Sequence, residues 1–370
     1  MSVTTARIDA VQTVAVSLAA HPELVVHGAK GAHDRSDFLL VRVVTDTGVV
    51  GYGEVSATPL WSGEDGASAE HFIRTVLAGA LIGQPLTPVG RLESSMDRVL
   101  AGNPFTKAGV SIALWDAYAR ALDVPLAVAL GGPYRTSVPI KLSLSGDGAG
   151  LERAYRAARA AGFSAFKVKV GLGVAGDIDR VAAARALVGE DTLLGVDANG
   201  GWTRTQAAAA AVAMSRSGIA FLEQPVAPGD LRGLGDLRGA GMPVVADESV
   251  FGTDDLVRVV RADAADVVSV YVGKSGGPGR AAQMGRLAGA FGVDTLIGSN
   301  GELGIGAAAQ LHVACALPAL SAIPSDIIGA FYYTEDILAE PLDSDGRTVR
   351  LGDAPGLGVQ PRPEITEGFR

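Results

Sequence analysis

Eight short apolar runs recur along the later two-thirds of the chain, each with a polar residue near its end. They are VPIKLSLSG, FSAFKVKVG, TLLGVDANG, IAFLEQP, MPVVADES, ADVVSVYVGKSGG, VDTLIGSNG and LSAIPSDIIG. The polar residues are Ser143, Lys169, Asp197, Glu223, Asp247, Lys274, Ser299 and Asp326, separated by steps of 26, 28, 26, 24, 27, 25 and 27 residues. Each step has room for one strand and one helix, and the Ala-rich stretches between the runs read as helices. Eight strands alternating with helices predict an α/β fold, a closed parallel (β/α)8 barrel. An open doubly wound sheet is the alternative, and near-equal repeats favour closure. The sixth run is less tidy than the others, because Lys274 lies past VVSVYVG rather than inside it.

Ahead of the barrel, FLLVRVVTDTGVVGYGEV alternates and turns at Asp46-Thr-Gly48, as a hairpin does. GVSIALWDAYARALD has the pattern of an amphipathic helix. The loops HPELVVHGAKGAH and PLWSGED are polar and long enough to serve as lids. These features divide the chain into an α+β capping domain (1–125), a barrel (126–340) and a tail (341–370) returning to the cap. A length of 370 residues suits one large and one smaller domain.

The net charge of −9 comes without a basic run, which argues against a nucleic-acid partner. No apolar run approaches the ~20 residues of a membrane span, and the N-terminus has no basic segment leading into an apolar one. The cytoplasm is therefore the expected location. The single cysteine, Cys315, sits in an apolar stretch and reads as a buried, inert thiol.

Active sites of such barrels lie at the C-terminal ends of the strands. Asp197, Glu223 and Asp247 end three consecutive strands there. Three neighbouring carboxylates repel one another unless a cation lies between them. An all-oxygen set favours Mg²⁺, with Mn²⁺ as the alternative. Helix capping is the bland reading for each acid alone, but three in register weaken it. Lys169 ends the second strand and Lys274 the sixth, so in a ring of eight they face each other across the ion. That layout suits proton transfer at a carbon beside a carboxylate. Lys167 points to the same face as Lys169, and a second ammonium there lowers the pKa of its neighbour.

This arrangement resembles the enolase superfamily, and its details look like the muconate-lactonizing subgroup. The matching elements are KVK at Lys167–Lys169, DAN at Asp197–Asn199, EQP at Glu223–Pro225, ADES at Ala246–Ser249 and GKSGG at Gly273–Gly277. The resemblance implies that Asp197, Glu223 and Asp247 bind Mg²⁺. It makes Lys169 and Lys274 the acid/base pair, tuned at Lys169 by Lys167, with Asn199 and Glu248 behind the metal ligands. It also implies a small carboxylate substrate and a homo-oligomer. The mandelate-racemase subgroup would place a histidine on strand seven, and GSNGELGIG has none.

For the substrate, the family's dipeptide epimerases carry Asp-x-Asp on strand eight. Here Asp326-Ile-Ile328 lacks the second acid. Asp326 alone would hold one substrate nitrogen, which points to a small amino or imino acid. A cis-3-hydroxy-L-proline-type dehydratase or an amino-acid racemase or epimerase fits that reading. A muconate-type, lactone-forming cycloisomerase is the alternative, with lid residue Lys30 supplying a counter-charge. Trp61, Ser299 and Glu302 are further candidates for substrate contact. A non-catalytic barrel is the remaining reading, and the filled catalytic positions argue against it.

Overall fold

The computed structural model describes residues 6–29, 31–33 and 35–370; Lys30 lies outside them. Three antiparallel strands open the chain: β1 (Ile8–Ala19), β4 (Arg35–Thr45) and β5 (Val50–Val55), in the order β1-β4-β5. The turn between β4 and β5 puts Gly48 at φ 82°, which suits a residue without Cβ. Between β1 and β4, a small hairpin forms from β2 (Val26–Gly28) and β3 (Gly31–His33). It reaches the barrel mouth, where a Cβ on Gly28 would lie 3.5 Å from Asn199 Oδ1.

The helix Pro104–Ala121 packs against this sheet so closely that a Cβ on Gly53 would stand 1.9 Å from the Gly109 carbonyl. Its pattern predicts one buried face, yet its buried residues run around the whole circumference. The reason is a second partner: Phe105, in its first turn, meets the barrel at Gly273. Asp116 on the same helix accepts hydrogen bonds from the Tyr52 amide (2.9 Å), the Leu357 amide (2.7 Å) and Arg120.

The barrel strands follow: β7 (Leu142–Leu144), β8 (Ala165–Lys169), β9 (Leu193–Asp197), β10 (Leu222–Glu223), β11 (Val244–Ala246), β12 (Val267–Val270) and β13 (Asp294–Ile297). They pair side by side in sequence order as one parallel sheet of seven. The expected eighth strand is reduced to a single bridge, Ile140 to Ser325. The ring nevertheless closes there. The Asp326 amide donates to the Ile297 carbonyl (2.7 Å) and the Lys141 amide to the Ser325 carbonyl (3.0 Å). Pro324 has no N–H to give, which prevents a regular ladder. Phe221, Val245, Val267, Leu296 and Ile323 plug the barrel interior below its polar mouth.

The first run divides into β7 and a preceding strand, β6 (Ser137–Pro139), which pairs antiparallel with β14 (Thr348–Arg350) from the tail. The end of the chain lies against β1, with the Thr13 amide donating to the Arg370 carbonyl (3.1 Å). Among the described residues no helix is long and apolar enough to cross a membrane.

The helix Gly304–Ala316 is buried throughout its length. Burial pushes its Cys315 thiol up to about 11. Its His312 accepts from the Ala127 amide at Nδ1 (2.9 Å), so the ring proton sits on Nε2 and points at the Leu357 carbonyl (3.1 Å). Burial holds this imidazole neutral down to about 4, against 6.5 for a free histidine. The unfolded chain therefore binds more protons than the native one below pH 6.5, and stability falls as pH drops. The loss amounts to about 3 kcal/mol by pH 4. Urea unfolding at a series of pH values should show this slope, and His312→Asn, which cannot titrate, should flatten it.

Candidate active site

Strand register sets the site. Lys169 pairs with Asp197 across β8 and β9, and Asp197 pairs with Glu223 across β9 and β10. Asp247 follows one residue after β11 ends at Ala246. Alternation along β8 aims Lys167 and Lys169 to one face, as their spacing predicts. The backbone beyond two of these tips is unusual: Asn199 has φ 43° and Gln224 φ 34°. Such conformations persist where surrounding bonds hold them. Gln224 Oε1 accepts from the amides of Asp247 (2.9 Å) and Ser249 (3.1 Å), tying the tip of β10 to that of β11. This clamp is not evident in the sequence, because EQP reads as a strand end and a turn.

The three carboxylates are buried and held by ammonium or phenol groups. Lys169 Nζ lies 2.7 Å from Asp197 Oδ2 and 3.0 Å from Asn199 Oδ1. Lys167 Nζ donates to both oxygens of Glu223, at 3.0 and 3.1 Å. Asp247 accepts from Lys274 at Oδ1 (2.5 Å) and from the Tyr271 hydroxyl at Oδ2 (2.7 Å). Glu248 Oε1 accepts from Asn199 Nδ2 (3.0 Å), and its Oε2 is buried with no hydrogen-bond partner.

Burial pushes Glu223 up to about 8, and the charges of Asp197, Asp326 and Asp247 add to that effect. Burial likewise takes Glu248 to about 7. Burial also acts to raise Asp197, but Lys169 and Lys167 outweigh it and hold that carboxyl at about 2. For Lys169 the outcome differs from the expected lowering. Burial, the largest single effect, and Lys167 both act downward, yet the charge and hydrogen bond of Asp197 together with the charge of Glu223 outweigh them and the pKa is raised. Tuning by Lys167 is therefore present in sign and outweighed in size.

A cleft at the barrel mouth is lined by Lys167, Lys169, Asn199, Trp61, Ser299 and Asp326 among the expected residues. Ser143, Tyr271, Tyr332 and Tyr333 line it too, as do Leu24, Gly28 and Gly31 around the lid hairpin. Trp61 lines the cleft and stacks on Tyr271 with ring centroids 5.4 Å apart. Six expected residues are not part of its lining: Asp197, Glu223, Asp247, Glu248, Glu302 and Lys274. Glu302 is buried and accepts from Ser299 Oγ (2.5 Å) and the Asn300 amide (3.2 Å), fixing the turn that presents Ser299. Lys274 sits in the short helix Val272–Ser275 beyond β12, with its ammonium on Asp247 and 4.0 Å from the ring centre of Tyr271. Asp326 is in place but already engaged. Its Oδ2 accepts from Lys141 Nζ at 2.8 Å, with Lys167 Nζ at 3.5 Å. Lys141 stands two residues before Ser143 on the first run, and the alternation that picks out KVK would have picked it out as well.

Among the described residues no three His, Cys, Asp or Glu side chains form a ready metal-ligand set. The donor chemistry nevertheless fits a hard divalent cation. Five carboxylates (Asp197, Glu223, Asp247, Glu248 and Asp326) meet four ammonium groups (Lys141, Lys167, Lys169 and Lys274). The site is thus one positive charge short. The raised pKa of Glu223 and the unpartnered oxygen of Glu248 are local signs of that shortfall.

Comparison with known proteins agrees with this fold. Residues 9–131 match the mandelate racemase/muconate lactonizing enzyme N-terminal domain, and residues 150–365 match the enolase C-terminal domain-like family. An N-succinyl-L-Arg/Lys racemase from Bacillus cereus is 29% identical over 357 residues, covering 96% of this chain and 95% of that one. Muconate cycloisomerase 1 from Rhodococcus opacus is 34% identical over 329 residues, covering 87% and 88%. The solved structure of muconate lactonizing enzyme from Pseudomonas fluorescens, complexed with muconolactone, superposes with a TM-score of 0.92 at 28% identity, covering 99% and 100%. Fold and site define an enzyme of the enolase superfamily. The chain belongs to its mandelate racemase/muconate lactonizing enzyme family, in the muconate-lactonizing subgroup. Enzymes of this family generally use Mg²⁺.

Proposed function

We propose that this enzyme uses Mg²⁺ to make the hydrogen α to a carboxylate acidic, and that Lys169 moves that proton. The observation that carries the reading is the Lys169 amine in the cleft, 2.7 Å from the first of three adjacent strand-end carboxylates. Asp197, Glu223 and Asp247 would hold the ion. When bound, it would supply charge for the developing enolate and draw Asp197 away from Lys169, which lowers the lysine pKa. The chain's own groups do the rest. Lys169 takes the α-proton. Lys167 keeps positive charge beside it, and Asn199 orients both Lys169 and Glu248. Trp61 and the lid hairpin close over the substrate and exclude water.

The state of Asp326 bears on substrate class. Its charge is already met by Lys141 and Lys167, so it makes a weak anchor for a substrate ammonium. An imino acid such as hydroxyproline loses its hook there. Acids without a free ammonium fit better, such as N-acylated amino acids or diacids. The names of the relatives, an N-succinyl amino-acid racemase and a muconate cycloisomerase, point the same way.

The test is α-proton exchange in D₂O. Purified protein with Mg²⁺ is incubated with a panel of N-acyl amino acids and unsaturated diacids, and deuterium is followed by NMR. Exchange is expected with Mg²⁺ and should vanish with EDTA. Exchange that survives chelation, or its absence from every acid tested, contradicts the reading.

A further inference from the structure

Trp61 forms one side of the cleft, and the group that fixes it there lies three residues on. Glu64 is 3% exposed, and its carboxylate is met by backbone amides and a hydroxyl rather than a cation. Oε1 accepts from the Phe105 amide (3.1 Å). Oε2 accepts from the Thr106 amide (2.8 Å) and the Thr106 hydroxyl (2.7 Å). These donors open the helix Pro104–Ala121, whose first amides have no partner along the helix itself. Pro104 has no N–H to offer, and the Lys107 amide is taken by the Asn103 carbonyl (3.1 Å). The Asn103 side chain makes no cap bond and turns back to the Ala101 carbonyl (2.8 Å). Phe105 and Thr106 are left, and Glu64 takes both from 41 and 42 positions away. The helix dipole favours a negative charge at that end as well.

The same helical turn reaches the cleft by a second route. Phe105 meets Trp61 edge-on, with ring centroids 5.6 Å apart. Phe105 also packs on the barrel rim, where a Cβ on Gly273 would stand 2.5 Å from its ring. Trp61 leans on Phe251 too, at 5.2 Å, besides stacking on Tyr271. From Trp61 to Glu64 the chain is one closed turn. The Trp61 and Ser62 amides donate to the Thr58 carbonyl (3.0 and 2.9 Å) and the Gly63 amide to that of Pro59 (2.9 Å). Gly63 ends the turn at φ 76°, a conformation that suits a residue without Cβ.

We propose that Glu64 is a positioning residue for the cleft: its grip on the helix Pro104–Ala121 holds Trp61 against Tyr271 and so sets the width available to substrate. Taking the cleft as the substrate site rests on the function given above. Glu64 bonds to no group that moves the proton, so its loss acts on fit rather than chemistry. A loosened Trp61 weakens ground state and transition state alike, which appears in KM and not in kcat. Glu64→Gln keeps the shape but turns an NH₂ toward a donor, so it loses at least one of the three bonds.

Two readouts test this. The first needs no substrate. Glu64→Gln should strengthen acrylamide quenching of the part of the tryptophan emission that Trp61→Phe removes. In a Trp61→Phe background the same substitution should change nothing, which separates Trp61 from Trp115 and Trp202. The second is α-proton exchange with Mg²⁺, followed against concentration for the N-acyl amino acid or diacid of the panel that exchanges fastest. Glu64→Gln should raise KM by about tenfold, the scale of one charge-assisted hydrogen bond, with kcat kept within about threefold. Glu64→Asp retains the charge and should recover part of the loss. Thr106→Val removes only the hydroxyl bond and should move both readouts the same way by less, which keeps the test open if Glu64→Gln folds poorly. Variants that melt earlier yet keep wild-type quenching and KM make Glu64 merely structural and overturn the proposal. A wild type that exchanges no acid overturns the function given above. Quenching then decides the placement of Trp61 by itself: stronger in the variants supports Glu64 as its anchor, and unchanged overturns it.

Discussion

Lys169→Ala is expected to slow α-proton exchange by at least ~10²-fold, the usual share of a positioned acid–base group. The same variant should bind Mg²⁺ no more weakly than the wild type, because the lost ammonium pairs with Asp197, one of the carboxylates proposed to hold the ion. Lys169→Arg sharpens the distinction. Guanidinium keeps the charge but does not give up its proton near neutrality, so exchange should fail while a competitor for Asp197 remains. Calorimetric titration with Mg²⁺ alongside the exchange assay reads both quantities. A Lys169→Ala protein with wild-type exchange would remove this lysine from the chemistry.

The second large effect concerns the ion. Glu223→Gln and Asp247→Asn should each weaken Mg²⁺ binding by more than the ~10–100-fold typical of a residue that only supports a ligand. The pH dependence has a definite sign. Without an ion, burial and neighbouring carboxylates hold Glu223 protonated up to about pH 8. An ion that needs the carboxylate must displace that proton. Affinity should therefore climb by up to about tenfold per pH unit below pH 8 and level off above it. Glu223→Gln has no such proton to lose, so its residual affinity should be flatter across that range.

The barrel was legible because spacing is a global property. Eight apolar runs at near-constant intervals are hard to place in any other fold, and seven of them are strands. The carboxylates were legible because their register follows from the same spacing. What escaped was local. In the eighth run, Pro324 removes one amide, and closure passes instead through single bonds at Ser325 and Asp326. In the sixth, Tyr271 ends an apolar stretch and reads as core, yet it lines the cleft. The helix Pro104–Ala121 was misjudged for a related reason, since its pattern cannot show that cap and barrel press on it from two sides. The engagement of Asp326 by Lys141 depends on ring closure, which brings residues 185 positions apart into contact.

The most direct measurement is a crystal structure of the protein soaked in Mn²⁺, with the ion located by its anomalous scattering. The account expects a single strong peak, ~2.0–2.3 Å from carboxylate oxygens of Asp197, Glu223 and Asp247, with the Lys169 amine released from Asp197 and turned into the cleft. A peak elsewhere, or none while the lysine–carboxylate pairs stay closed, would contradict it.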